Sequence, residues 1–370
     1  MKPGGASRVV LEQASGLTRR GLDCVIITTK ASQEVIKGYP LVKIKQLSKF
    51  ITGDITFWLL FVGFYRKMKK ELGLMENKIL YCHSLAIYWG WIYKVFNPGV
   101  ASVYYIHDLG LPFTDSDAEL SSLRLIPRKI AEILRPVFRL INSSVIKSAD
   151  YIVANSQASA NYLFSHYRRK ADVLVTPGVN TNTFTTGKSK RDQIISVGRL
   201  DKIKNTDVAI KAFAIFTLRN PENKTQLILA GEGKEKESLI GLAKNLSIRD
   251  RVTFAGQISL KDIPRYYSQS KLCLAMCPVE AFGLSAAESI CSGTPVIGIN
   301  QNGIKEIVKN NIDGVLADNT VENVAEAIEK CLSKTNFLNK LTRNISQKIR
   351  MELDTEIQLK KLYSFFLAIK

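Results

Sequence analysis

The sequence predicts an α/β protein with parallel sheets, divided into two domains. Three observations carry this. Short apolar, β-branched runs alternate with stretches of helical periodicity, the pattern of strand–helix–strand units. The alternation halts at a Thr-, Ser-, Lys- and Gly-rich stretch, residues 181–191, and then starts again. At 370 residues the chain also exceeds what one ordinary core organises. A hydrophobic content of 46% with mean hydropathy near zero describes a globular chain rather than a disordered one.

Taken in order, residues 9–20 have helical apolar spacing and stop at Gly21. Residues 22–29 are apolar and β-branched, as in a buried parallel strand. Strands follow at 78–83, 101–107, 151–155 and 172–176, with helical stretches between. Residues 55–65 form a largely apolar run abutting Arg66, Lys67, Lys69 and Lys70. Such a segment suits a membrane surface, with its charges among headgroups. It equally suits a core helix with a basic end. Basic residues between 123 and 147 can add to the same face. Asp115-Ser116-Asp117 spells a D-x-D metal pattern, read here as a solvated acidic turn. In the second half strands are expected at 193–197, 226–230, 251–255, 271–277, 295–299 and 314–317, and a helix over 354–370.

Composition narrows the class. No run reaches the roughly 18 to 20 apolar residues of a membrane span, and the start has no signal-peptide core. A cytoplasmic protein is expected. The six cysteines show neither a CxxC pair nor disulfide-framework spacing, and the three histidines are too dispersed for a zinc site. A net charge of +19 calls for a polyanionic partner. The basic residues are scattered and no nucleic-acid motif accompanies them, so an anionic membrane surface is preferred over nucleic acid.

The chemistry concentrates around Glu280-Ala281-Phe282-Gly283-Leu284-Ser285-Ala286-Ala287-Glu288, between two strand-like runs. It reads as a strand end, a glycine turn and the first turns of a helix. A helix start offers unpaired N–H groups and partial positive charge to a phosphate. The flanking carboxylates repel a phosphate but accept hydrogen bonds from hydroxyls, which suggests a nucleotide carrying a sugar. Gly198-Arg199-Leu200-Asp201-Lys202-Ile203-Lys204, after the first strand of the second half, supplies a guanidinium and an ammonium for departing negative charge. His107 ends a strand candidate of the first half, where sites of open parallel sheets cluster.

The two glutamates around Phe282-Gly283-Leu284, with Gly293-Thr294-Pro295 just after, resemble the signature of retaining glycosyltransferases of the GT-B fold, family 4 (group 1). The likeness runs over nearly the whole chain and implies two Rossmann-like domains facing across a cleft. The expected division is 1–186 on the acceptor side, 187–350 binding the nucleotide sugar, and a helix 351–370 crossing back. The family usually opens with an apolar strand, a Gly-Gly loop against the donor phosphates, and a helix. Gly4, Gly5 and Arg8 match the loop and helix start, but only Met1, Lys2 and Pro3 precede them. The first strand, central in such a sheet, is missing. The expectation is a start upstream of Met1 or another segment in the gap.

The resemblance also assigns roles. Arg199 and Lys204, with the amides of Gly283 and Leu284, stabilise the leaving diphosphate without a metal or other cofactor. Glu280 orients the sugar, Glu288 holds the ribose, and Phe282 lies between them. Gly198 belongs to the diphosphate loop, and Gly256-Gln257-Ile258 pack on the base. Gly4, Gly5 and His107 complete the site from the first domain. Asn302-Gly303 replaces the family's Gly-Gly. The implied activity is a retaining hexosyl transfer from a UDP- or GDP-linked sugar. The acceptor is a glycan or lipid-linked molecule at the inner membrane face, as in polysaccharide or lipopolysaccharide synthesis. The alternatives are a GT-B sugar-nucleotide epimerase and an inactive truncated transferase.

Overall fold

The computed structural model describes residues 5–28, 31–47, 61–75, 78–109, 128–187 and 189–369. Gly4, residues 55–60 of the apolar run, and Asp115 and Asp117 lie outside them. Contacts divide the chain into two compact units. One is Met1–Thr176 with Gln358–Lys370, the other Pro177–Ile357.

In the first unit, helix α1 (Gly5–Arg19) leads to β1 (Val25–Thr28), α2 (Gln33–Gly38), β2 (Lys43–Gln46), α3 (Phe61–Gly73), β3 (Ile79–His83), α4 (Ala86–Phe96), β4 (Ala101–Ile106), α5 (Arg128–Ser148), β5 (Tyr151–Ala154), α6 (Gln157–Tyr167) and β6 (Val173–Leu174). The chain leaves α1 at Gly21, whose φ of 92° is the left-handed conformation that glycine adopts without a Cβ penalty. Ser156 caps α6 by accepting from the Ser159 amide.

β3, β4, β5 and β6 form a parallel sheet in that order, and β1 pairs in parallel with β2 in a separate one. Among the described residues no strand joins β1 to β3. The two nevertheless share their cores. Ile27 packs on the cluster containing Leu80 and Cys82, and Cys24 on the cluster containing Val103, beside Ile79 and Tyr81.

Side chains alternate across β4. Tyr104 and Ile106 enter the core with α4, α5 and α6, while Val103 and Tyr105 enter the core with α1 and the C-terminal helix. Both faces are covered, which is why β4 reads as a continuous apolar run.

The second unit runs β7 (Gln193–Val197), α7 (Thr206–Arg219), β8 (Gln226–Ala230), α8 (Lys236–Asn245), β9 (Val252–Gly256), α9 (Ile263–Gln269), β10 (Leu272–Ala275), α10 (Leu284–Cys291), β11 (Val296–Ile299), α11 (Asn302–Ile307), β12 (Gly314–Ala317), α12 (Val321–Ser333) and α13 (Thr335–Glu352). Its sheet has the order β12-β11-β10-β7-β8-β9, every neighbour parallel. Strand order reverses between β7 and β10, the position where open α/β sheets form their crevice. Phe213, Phe216 and Ile210 of α7 are fully buried on one face, and Tyr267, Ile290 and Ala286 on the other.

After α13 the chain returns. Val179 N–H donates to Leu353 O at 2.7 Å, and Thr355 N–H donates to Val179 O at 3.2 Å. Helix α14 (Thr355–Ala368) then places Leu362 and Phe366 in the core of the first unit, against Val9, Val103 and Tyr105. Its Leu359 sits where a side chain on Gly16 would stand, 2.3 Å from an ideal Cβ. No helix among the described residues is long and apolar enough to cross a membrane.

Candidate functional site

The C-terminal ends of β7, β8, β9 and β10 carry the turns at Gly198, Gly231, Gly256 and Cys277–Glu280 on one edge of the second unit. A cleft opens between the ends of β7 and β10, at the strand-order reversal. Its lining includes Gly198, Lys204, Cys277, Glu280 and Ser285.

The Gly198 loop is held rigidly from below. Gly198 N–H donates to Ala230 O at 3.0 Å, Leu200 N–H to Glu232 O at 3.0 Å, and Glu235 N–H to Leu200 O at 2.9 Å. The Gly231-Glu232-Gly233 turn is therefore architectural. A Cβ on Gly231 would lie 1.8 Å from Gly198 O, and one on Gly233 2.3 Å from Leu200 O. This clamp turns the Lys202–Lys204 3₁₀ segment so that Lys204 enters the cleft.

Lys204 Nζ donates to Glu280 Oε2 at 2.6 Å, joining the two predicted loops across 76 residues. Each side chain is about a quarter exposed, at 27% and 25%. Burial pulls the Lys204 ammonium pKa down, but the Glu280 carboxylate outweighs that and leaves it above its usual value. A charge-assisted bond of this kind holds both groups in place before any ligand arrives. Arg199 points elsewhere: its guanidinium pairs with Asp201, and its side chain is 71% exposed.

Gly283 precedes α10 with φ 92° and holds the helix start through Ala287 N–H to Gly283 O at 3.0 Å. Leu284 is the first residue of α10, and Ser285 of its first turn lines the cleft. Phe282 is core, 4% exposed among Ile304 and Ala286. Glu288 is 6% exposed, and the Tyr267 hydroxyl donates to its Oε2 at 3.3 Å. It is not among the residues lining the cleft. Gly256 has φ 68° at the end of β9, with Gln257 and Ile258 following. Asn302 takes the left-handed conformation, φ 47°, and donates from Nδ2 to Pro278 O at 2.7 Å, tying its loop to the Glu280 loop.

In the first unit Gly5 begins α1, and an ideal Cβ there meets nothing within 4 Å. His107 follows β4, 9% exposed, and shares a 2.8 Å bond with His83. Burial lowers the His107 pKa to about 4. Asn155 Nδ2 donates to His107 O at 2.7 Å, and Ser156 and Ser159 bind Asn155 Oδ1 in turn.

Sequence reasoning missed Cys277, Ser285 and His83. Cys277 stands three residues before Glu280 at a strand's C-terminal end, which is the signal that could have found it. Burial raises its thiol to about 11, so it is protonated beside the ion pair. Among the described residues no group of three or more His, Cys, Asp or Glu is placed to hold a metal ion.

Against known proteins, the family model "Glycosyltransferase Family 4" matches residues 3–183, and "Glycosyl transferases group 1" matches residues 180–348. Curated relatives include the D-inositol 3-phosphate glycosyltransferase of Thermobispora bispora, 29% identical over 250 residues, covering 62% of this chain and 56% of that one. That of Actinosynnema mirum is 26% identical over 370 residues, covering 88% and 83%. The chain spans about half the length of several such relatives. Similar solved structures include Anabaena Alr3699/HepE in complex with UDP and glucose, at TM-score 0.80 and 18% identity over 99% of this chain and 96% of that one. Sucrose-phosphate synthase from Thermosynechococcus elongatus reaches TM-score 0.81 at 20% identity, covering 99% and 94%. WaaG, a glycosyltransferase involved in lipopolysaccharide biosynthesis, reaches 0.73 at 16% identity, covering 98% and 97%. These likenesses show a common GT-B fold. Matched by the two models in tandem from residue 3 to residue 348, the chain belongs to the GT-B glycosyltransferases of family 4, group 1.

Proposed function

We propose that the protein transfers a hexosyl group from a nucleoside diphosphate sugar, UDP- or GDP-linked, to a glycan or lipid-linked acceptor, with retention and without a metal. The Lys204–Glu280 pair at the β7/β10 crevice carries this reading. An ammonium at the cleft stabilises the diphosphate as it leaves, and the paired carboxylate accepts from sugar hydroxyls on the other side. Family 4 membership and the UDP and glucose bound by the HepE neighbour support a nucleotide-sugar donor. Arg199, freed from Asp201, adds a second positive charge, and the Gly283–Leu284 amides supply the helix start. Glu288 holds the ribose, with Tyr267 orienting its carboxylate. Gln257 and Ile258 pack on the base, and His107 serves the sugar or the leaving phosphate from the first unit.

Calorimetric titration with UDP, GDP and ADP, with and without magnesium, tests the donor half. Tight binding of one nucleotide without metal supports the reading, and a strict magnesium requirement overturns its metal-free form. Interconversion of nucleotide sugars in the absence of any acceptor would replace transfer by epimerisation.

We further propose that the acceptor is met at an anionic membrane face. The net charge is +19, and α5 exposes Val137, Arg139 and Leu140 while α4 exposes Val95 and Phe96. Exposed apolar and cationic side chains of this kind suit acidic headgroups. Co-sedimentation with vesicles of acidic phospholipid, and none with neutral vesicles, is the expected result.

A further inference from the structure

His83 and His107 end neighbouring parallel strands. The register pairs His83 with Tyr105, and the two-residue period sets Tyr81, His83, Tyr105 and His107 on one face of the sheet. The rings form one contiguous cluster. His83 stacks on Tyr105 at 5.0 Å and 26°, Tyr81 meets His83 edge-on at 4.3 Å, and Tyr105 meets His107 tilted at 4.7 Å. Within this cluster His83 Nδ1 and His107 Nε2 are 2.8 Å apart.

Two facing lone pairs at that distance repel, so one ring donates to the other. Burial holds both imidazoles below their usual pKa, His107 at about 4, and each ring's charge would oppose the other's. The pair is therefore neutral at pH 7 and contains one N–H along the bond. The titratable groups facing it from β3 and β4 are the Tyr81 and Tyr105 hydroxyls, which burial keeps protonated.

Two states satisfy the bond. If His107 donates, its Nδ1 is left as an acceptor. If His83 donates, His107 carries its proton on Nδ1 and offers a donor. A sugar hydroxyl can meet either state, but the oxygens of a departing diphosphate only accept and call for the donor.

We propose that His83 is a positioning residue for His107, donating from Nδ1 so that His107 is fixed as the Nδ1–H tautomer with its ring held in place. This rests on the transferase reading of His107. The bond supplies the kind of support by which an outer partner sets the tautomer and ring orientation of a working histidine.

The test is two-bond ¹H–¹⁵N correlation of the imidazoles in the full ¹⁵N-labelled chain at pH 7. The chain has three histidines, so His107→Gln and His166→Gln assign the signals. The expected pattern for His107 is a protonated Nδ1 and a bare Nε2. His83→Phe should abolish that pattern, and His83→Gln, whose amide can donate, should restore it. A His107 protonated on Nε2 in the native chain overturns the proposal. So does a pattern unchanged in His83→Phe. If His83→Phe fails to fold, the native pattern together with His83→Gln decides.

In a transfer assay His83→Phe should lower kcat on the order of 10²-fold with little change in KM for the nucleotide sugar, and His83→Gln should recover most of it. A locked tautomer in a chain that transfers no sugar would leave the His83–His107 arrangement standing and remove the transferase reading.

Discussion

At the scale of single residues, the site turns on one ion pair. Glu280→Gln keeps the shape of the Lys204 contact and removes its charge. The two side chains keep about a quarter of their surface in water, so the stability cost is about 1 kcal/mol or less. The effect on transfer should be far larger, on the order of 10²-fold in kcat, because the charge acts where the reaction develops it. Melting curves and initial rates separate the two effects, and a fully active Glu280→Gln would take the carboxylate out of the chemistry. The raised pKa of Lys204 fixes the pH sense of the pair. Its stabilisation is complete below the ordinary lysine value near ~10.4 and fades only as pH rises through the higher native one. The pair contributes no slope near neutrality. Glu280 and Lys204 were both singled out through the Glu280–Glu288 pattern and the resemblance to family 4. Their contact was not, because nothing local in the chain says that residue 204 meets residue 280.

At the scale of elements, the site depends on two turns touching. Gly231 has φ 151° and leaves no room for a Cβ against Gly198 O. Gly231→Ala combines strain with a backbone collision and should destabilise by roughly 1–3 kcal/mol, with a parallel loss of nucleotide affinity as the Gly198 loop shifts. Urea denaturation and nucleotide titration check this together, and an unaltered affinity would mean that the loop is held by other contacts. Most strands could be read from the chain because burial on both faces makes them continuous apolar runs. β2 could not. Lys43-Ile44-Lys45-Gln46 lies at the edge beside β1 with three of its four residues exposed, and its composition is that of a surface loop. Among the described residues no strand lies between β1 and β3. The burial of Glu288 under the Tyr267 hydroxyl was not legible, since a helical glutamate in sequence reads as solvated.

At the scale of the whole molecule, two predictions follow from how the cores are assembled. The buried neutral histidines make the first unit sensitive to acid. Unfolded histidine titrates near ~6.5, whereas native His107 resists protonation until about 4 and native His83 lies lower as well. The unfolded chain binds the extra protons, so stability is full above the unfolded value and falls as pH drops from 7 towards 4. His107 alone accounts for about 3 kcal/mol of that fall. Denaturation measured at intervals over this range should show the loss in the first unit, and a His83→Asn/His107→Asn double variant should flatten it. The second prediction concerns α14. A chain ending at Ile357 lacks Leu362 and Phe366, whose truncation in a core costs about 2–5 kcal/mol each. Hydrogen exchange should then show protection lost across β3 to β6 and kept across β7 to β12. Equal loss in both would mean that the second unit also depends on α14.

The return of α14 also sets an order in time. As the polypeptide leaves the ribosome, β3, β4, β5 and β6 emerge before residue 177, yet the helix that completes the cover over Val103 and Tyr105 follows only after residue 354. The second unit, Pro177–Ile357, lies in the chain between that sheet and the helix. Nascent chains ordinarily mature from the amino end. Here the earlier sheet has only α1 over that face until the segment beyond the second unit has emerged. During that interval the waiting face is the surface a chaperone would recognise, and a stalled or prematurely terminated message would yield a well-formed second unit attached to an unfinished first one.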